Sequence, residues 1–492
     1  MLIKQFAWIP TKALVVAGIL FFLFTMICSY LNTITLIVID VKIISLFIGA
    51  ICLIGVAAFI AASSLSRRMY LSILLLVAIA IRLVWILAID TQPNSDFQVM
   101  YESALLAAQG SVSFGDSEYF VRWPYQIGFT LYQMLLIKLF GTPMIILKLF
   151  NLVFNVGTAV LLYLIAAKVF NEFCGRIAML LFAMYTPSII LCSVLTNQHL
   201  SIFLFFLGSY FIIHKGLTSR YHWIFIGLSY GLGHLFRPMG SFYLLAFIAY
   251  VLLFKLLRTP RKFVGSVLGK TLGVVVVYII VQQLFSYTLI ATGVTHSKLS
   301  NNEPYWKLVV GLNQPHEGAW NSEDANYVVQ YAFGKERNQI ELQMVRERLA
   351  DKSALIVLFT KKFKSMWGDG DPSIFWSLGD IDIEHLSVLM VILMLTEGIA
   401  YFLLALFGLL SLLFLLRRNE YPKHALFLLM LLGYVIVHAL IEIQTRYRID
   451  ILPCLFILQS YGIFVFYTSI KRLLISKNKP RKKAMNPPMT DS

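Results

Sequence analysis

Apolar residues run along this chain in blocks of about 20, long enough to cross a ~30 Å hydrocarbon layer as helices. Within the blocks hydrophobic and polar positions do not alternate, so the strands of a membrane barrel are excluded. The blocks fall near 13–31, 43–62, 69–89, 145–167, 177–195, 199–214, 222–238, 241–257, 271–290, 388–416, 424–441 and 449–470. The pattern predicts an all-α polytopic membrane protein with about twelve transmembrane helices. Gly and Pro inside the blocks, as in "LSYGLGHLF" and "FRPMG", do not rule out membrane helices.

Composition agrees. Of 492 residues, 59% are hydrophobic and 13% charged, against roughly a quarter charged in soluble domains. The first block, "ALVVAGILFFLFTMICSYL", is too long for a signal h-region and lacks a small-x-small cleavage site. It reads as the first span. The five cysteines, Cys28, Cys52, Cys174, Cys192 and Cys454, are isolated in or beside apolar runs, so neither a disulfide framework nor a zinc site is expected. The net charge of +16 is a topology signal. With the N-terminus inside, the inner loops and the tail collect more than half of the Lys and Arg. Glu172, Glu420 and Asp491 are the acids there. Lys42 falls on the wrong side. This asymmetry predicts cytoplasmic termini in a plasma membrane. It explains the charge without nucleic acid, and the basic tail 471–492 suits anionic lipid.

Two long segments then face outward, 90–144 and about 291–387. The first contains "PNSDFQVMYESALLAAQG". Ser95 can cap a helix beginning near Asp96, and Phe97, Tyr101, Ala104, Leu105 and Ala108 recur at helical spacing up to Gly110. A short interfacial helix is expected. A second apolar helix is expected over 125–140. Asp96 reads equally as an acid complementing the helix dipole, and Glu102 as a solvated acid. They are six apart, so one helix does not align them on one face. The second segment predicts amphipathic helices at 336–349 and 355–367, preceded by the aromatics Tyr305, Trp306 and Trp320. Asp369-Gly370-Asp371 has a D-x-D form that can hold a metal, but with Gly inside and Pro372 after it, it reads as a turn. A divalent metal is not predicted.

Several of these stretches carry a resemblance. "TQPNSDFQVMYESALLAAQG", then Trp123-Pro124-Tyr125 and "LYQMLLIKLFG", resemble the first outer loop of the GT-C superfamily of membrane glycosyltransferases. The nearest types are the dolichyl-phosphate-mannose–protein mannosyltransferases and the aminoarabinose transferases. "NLVFNVGTAVLLYLIAAKVF", "HLFRPMG", "YWKLVVGLNQPHEGAWNSED" and "EIQTRYRIDILPCLFIL" are similar to later segments. The similarity spans roughly 80–470. It implies a GT-C-like core at 69–290 with a catalytic outer loop at 90–144. A second outer or lid segment follows at 291–387, and C-terminal spans at 388–470. Two spans precede the motif where the family usually has one, so 1–68 reads as an extension. Many relatives have an acid near Gln198-His199; its absence here puts a second carboxylate in doubt.

The resemblance implies transfer of a sugar from a polyprenyl phosphate to an acceptor hydroxyl at the outer face. The acceptor would be a cell-envelope polymer, a lipid or a protein. Such chemistry needs a base for the acceptor proton and cations for the departing phosphate. By position in the motif Asp96 is the base. Arg237, Arg446 and Arg448, at outer ends of spans, are the phosphate candidates, since guanidinium forks suit phosphate oxygens. Snorkelling at the interface is their plain alternative. Arg446 and Arg448 are two apart, and an extended backbone would project both to one side. Arg122 and Lys148 are weaker candidates. Tyr101, Glu102 and Trp320 complete the expected substrate contacts. Arg82, buried in a span with Asp90 two turns later, is either functional or a bond between helices. A transporter of lipid-linked sugars is the rival reading. Paired halves with broken helices at matching positions, the mark of many transporters, are not found in the sequence.

Overall fold

A computed structural model describes residues 9–36, 40–296, 299, 301–379, 381, 387–418 and 423–477; for 40–44 and 476–477 only the backbone is described. The Lys42 side chain, Glu420 and the tail from 478 onward therefore lie outside the described residues. Among those described the chain is helical, with no strand.

Every apolar block coincides with a helix, but the helices are unequal in length. Seven are long and apolar enough to cross a membrane: Ile9–Thr35, Arg67–Ala88, Met144–Val169, Gly240–Arg258, Arg261–Ala291, Ser387–Leu416 and Leu452–Ile475. The block at 177–195 is not one rod. Glu172–Met184 and Thr186–Ser193 meet at 64°. Pro187 stands at the start of the second piece and lacks the N–H that would continue the first. Gln198–His214, His222–Phe236 and Ala425–Leu440 have 17, 15 and 16 residues. At ~1.5 Å per residue they fall short of a full crossing. So among the described residues seven helices, or eight with the bent pair, are long and apolar enough to cross a membrane, and the other apolar blocks form shorter described helices.

Ser387–Leu416 packs between Ile9–Thr35 and Leu452–Lys477, and Gln198–His214 between Met144–Val169 and His222–Phe236. Arg82 is fully buried and staples this bundle. Its guanidinium donates to Asn155 Oδ1 at 2.8 Å, Ser188 Oγ at 2.8 Å and the carbonyls of Ala78 and Ala183. Asp90 faces Lys148 instead, at 3.8 Å, and Lys148 also donates to the Thr91 carbonyl. Both cations are thus bonds between segments. His199 likewise lies against Asn155 and the Leu191 carbonyl.

Both segments expected to face outward fold as helices. Ser95–Ala108 packs on Ile127–Phe140. The second contains Trp306–Gly311, Lys335–Ala350 and Lys352–Gly368, close to the expected 336–349 and 355–367. Lys362 joins them to the bundle. It is 2% exposed, and its Nζ donates to the carbonyls of Gly311, Ala439 and Ile441 at 2.7, 2.9 and 2.8 Å. One ammonium with three donors meets three acceptors at the C-terminal ends of two helices, where a cation also suits the dipoles. Gly311 permits the approach: a Cβ there would lie 2.2 Å from the Ile441 carbonyl carbon. Lys362→Met leaves three buried carbonyls without a donor. It should destabilise the protein by at least about 2 kcal/mol, read as a lowered unfolding temperature in detergent.

Farther out, Glu303 is paired with both Arg122 (2.6 Å) and Arg337 (2.9 Å). Beside it Glu341 is fully buried, and neither of its carboxyl oxygens has a hydrogen bond. Burial, then the nearby Glu303 charge, pushes the Glu341 carboxyl up to about 7. Between the ordinary carboxylate range and about 7 the folded state keeps a proton that the unfolded chain has released. This region therefore loses stability as pH rises across that interval. Glu341→Gln should stabilise the protein by about 1–3 kcal/mol at pH 8 and leave it unchanged at pH 4, measured as thermal unfolding against pH.

Candidate functional site

The site forms where Ser95–Ala108 meets the turn before the last span. Asp96 lies in the first turn of its helix and is solvent-exposed. The expected Ser95 cap is not made. Asn94 occupies the N-cap position without a side-chain capping bond, and Ser95 stands at φ +51°. A left-handed serine directly before Asp96 is strained by about 1–3 kcal/mol, held by the packing of Phe97 and Met100 into the core. Asp96 acts electrostatically on Tyr119, Tyr125 and Arg446. Burial first, and the Asp96 charge second, push the Tyr119 hydroxyl above its ordinary range.

Residues 445–450 are a 3-10 turn rather than an extended strand. Arg446 and Arg448 therefore point to different neighbours. Arg446 is 9% exposed. Its guanidinium lies over the rings of Phe97 (5.0 Å) and Trp376 (4.5 Å) and donates through Nη2 to Gln444 Oε1 at 3.1 Å. Its Nε and Nη1 are buried and make no hydrogen bond among the described residues. Arg448 is 2% exposed. It donates to the Asp369 carbonyl at 2.7 Å, lies 3.8 Å from Asp371 and Glu397, and stacks on Tyr401 at 4.4 Å.

Arg237 lies at the end of His222–Phe236 and is bound by Asp450, Nη2 to Oδ2 at 2.7 Å and Nε to Oδ2 at 2.9 Å. Asn197 accepts its Nη1 at 3.2 Å. Asp450 is 1% exposed and also accepts from Gln198 at 3.1 Å and Tyr434 at 3.1 Å. A polar chain reaches Arg446 from the second outer segment. Lys307 pairs with Glu442, Glu442 accepts from Gln444, and Gln444 accepts from Arg446.

The structure thus brings Asp96 and Arg446 together, with Arg237 behind them through Asp450. It leaves other expected contacts elsewhere. Arg122 is held by Glu303 and stacks on Trp123 and Trp306. Tyr101 packs half-buried against an apolar cluster that includes Leu136, Leu147 and Leu195. Glu102 is exposed and accepts from Gln98 at 2.8 Å, and Trp320 is 58% exposed. Asp371 accepts from the Ser373 backbone N–H at 2.9 Å and from its hydroxyl, so the D-x-D stretch is the expected turn opening a short helix. Among the described residues no three His, Cys, Asp or Glu side chains gather as a metal site requires.

Asp450, Lys307, Glu442, Tyr119 and Trp376 were missed from sequence. Asp450 alone carried a signal, a lone acid beginning the last apolar block in "TRYRID". Its nearest basic neighbours along the chain, Arg446 and Arg448, pointed away from its actual partner Arg237.

The comparisons with known proteins follow this geometry. Residues 127–281 match the sequence profile of the dolichyl-phosphate-mannose-protein mannosyltransferase family. No curated protein sequence matches the chain at a significant level. Two solved structures are similar in fold. One is the Archaeoglobus fulgidus oligosaccharyltransferase tethered to an acceptor peptide containing the NVT sequon, at TM-score 0.49 and 13% identity, covering 83% of this chain and 50% of that one. The other is the archaeal oligosaccharyltransferase AglB from Archaeoglobus fulgidus with an inhibitory peptide and a dolichol-phosphate, at TM-score 0.46 and 13% identity, covering 84% and 52%. The chain spans about half the length of these neighbours. Through residues 127–281, then, this all-helical membrane protein is similar to the dolichyl-phosphate-mannose-protein mannosyltransferases, the GT-C type that its motifs resemble.

Proposed function

We propose that the protein transfers a sugar from a polyprenyl-phosphate donor to an acceptor hydroxyl, at the membrane face opposite the basic termini. The observation that carries this reading is Arg446. A guanidinium lying over two adjoining aromatic rings, with two buried nitrogens that make no hydrogen bond among the described residues, is poised to accept an anion. Leaving such donors unmet costs about 1–3 kcal/mol each, and a phosphate oxygen pair matches the fork. The 127–281 match supports a phosphate-linked sugar as the donor class.

The reaction then needs one base and one leaving-group cation. The acceptor oxygen attacks the anomeric carbon, the bond from that carbon to the phosphate oxygen breaks, and the polyprenyl phosphate departs with the electron pair. Asp96 takes the acceptor proton, and Arg446 neutralises charge growing on the phosphate. Arg237 and Arg448 fix the 445–450 turn by their pairs with Asp450 and with Asp371 and Glu397. The acceptor would be a cell-envelope polymer, lipid or protein, and the membrane the plasma membrane.

Two outcomes are expected with purified protein and short-chain polyprenyl-phosphate sugars. Asp96→Asn should lower the rate of polyprenyl-phosphate release by about 10²–10⁴-fold while lipid binding survives. Arg446→Ala should weaken lipid binding by at least about tenfold, with Arg446→Lys rescuing little, because an ammonium lacks the planar stacked fork. Sugar-lipid movement across proteoliposomes that ignores Asp96→Asn, with no turnover of any lipid-linked sugar, would favour a transporter.

A further inference from the structure

A cavity with three cations in its lining lies at the other end of the bundle. Gly240–Arg258 starts beside Arg237 and ends at Arg258. Its 19 residues place Arg258 on the order of 28 Å from the Arg237 end. There a cleft of about 540 Å³ is lined by Lys255, Arg258, Lys270, Thr259, Ser266 and Phe263, among others.

The backbone gathers the cations by identifiable means. The span loses α-geometry at its end, passing through a π-turn over Val251–Lys255 and a 3-10 turn over Leu256–Arg258. Lys255 ends the π-turn and Arg258 ends the 3-10 turn, and both line the cleft. On the facing helix, Arg261–Ala291, the lining residues Phe263, Ser266, Val267 and Lys270 recur as one helical stripe. Lys270 is fixed at one end of that stripe by a bond from its Nζ to the Leu217 carbonyl at 2.8 Å. The same helix begins at the cleft with no side-chain cap and no acid in its first turn, so its amide dipole adds to the positive potential. All three cations are half-buried around the cavity. None of the cleft's lining residues is acidic. Leu252, Leu253, Phe263 and Leu268 are exposed nearby at 49, 42, 52 and 44%, a surface suited to acyl chains.

We infer that this cleft binds a phosphate group, and that its source is the headgroup of an anionic phospholipid in the leaflet opposite the sugar-transfer site. The site is separate from Asp96 and Arg446 and does not depend on the chemistry proposed for them. Basic pockets between membrane helices take such headgroups through paired cations with hydroxyls alongside.

The test uses the full-length protein in nanodiscs and in detergent. Retained phosphatidylglycerol is counted by native mass spectrometry for wild type and for Lys255→Gln/Arg258→Gln/Lys270→Gln. A control, Arg417→Gln/Lys471→Gln/Arg472→Gln, removes equal charge outside the cleft. The cleft variant should lose retention by at least about tenfold while the control keeps it. Equal loss in both variants, or no loss in either, overturns the inference, because charge density alone then explains binding. If the triple variant does not fold, Arg258→Gln must show partial loss and Lys270→Arg must not. Inorganic phosphate is titrated in parallel. Binding of it by wild type that phosphatidylglycerol does not displace assigns the cleft to a free phosphate and overturns the lipid source.

Discussion

The buried pair of Arg237 with Asp450 is the constraint on which the site around Arg446 depends. A carboxylate 1% exposed at the head of an apolar helix needs a counter-charge and a full set of donors. It takes them from three separate segments: Arg237 after His222–Phe236, Gln198 at the start of Gln198–His214, and Tyr434 within Ala425–Leu440. Its own carbonyl accepts a bond from Tyr243 at 2.6 Å. Four helices are thereby tied to one turn. Such a pair adds little net stability over an apolar alternative, but it fixes register, because any displacement strands a charge in a low-dielectric medium.

That turn holds Arg446 in an unusual state. Its guanidinium lies over Phe97 and Trp376, and Gln444 accepts from one of its nitrogens. Gln444 is itself tied through Glu442 to Lys307 in the second outer segment. The Arg446 Nε and Nη1 make no hydrogen bond among the described residues. Arg448, two residues on, differs in its surroundings: it donates to one backbone carbonyl, and its Nη2, which makes no hydrogen bond among the described residues, lies 3.8 Å from two carboxylates. Residues alike in sequence are thus divided between a held charge and an available one.

The second outer segment is joined to the bundle by charges buried in the same manner. Lys362 spans three carbonyl ends, and Glu303 holds two arginines. Gly311 lets the chain approach the end of Ala425–Leu440 closely enough for Lys307 and Glu442 to pair. At the opposite end of the bundle Lys255, Arg258 and Lys270 line a cavity.

The sequence by itself determined the helical, membrane-crossing character of the chain, because a run of apolar residues has only one way to satisfy its backbone in lipid. It also placed the outer helices at 95–108, 335–350 and 352–368 within a few residues, since amphipathic spacing and turn residues are local properties. It led to Asp96 and Arg446 as candidates through the motif around them. Tertiary structure decided what local signals do not encode. The 64° break at Tyr185 divided one apolar block, and the 3-10 geometry of 445–450 separated Arg446 from Arg448. Arg82 proved to be a staple, and Asp450 found its partner 213 residues away. Charge pairing in a bundle is set by which helix ends meet. That depends on packing across hundreds of residues, and a single chain's order of Lys, Arg, Asp and Glu does not record it.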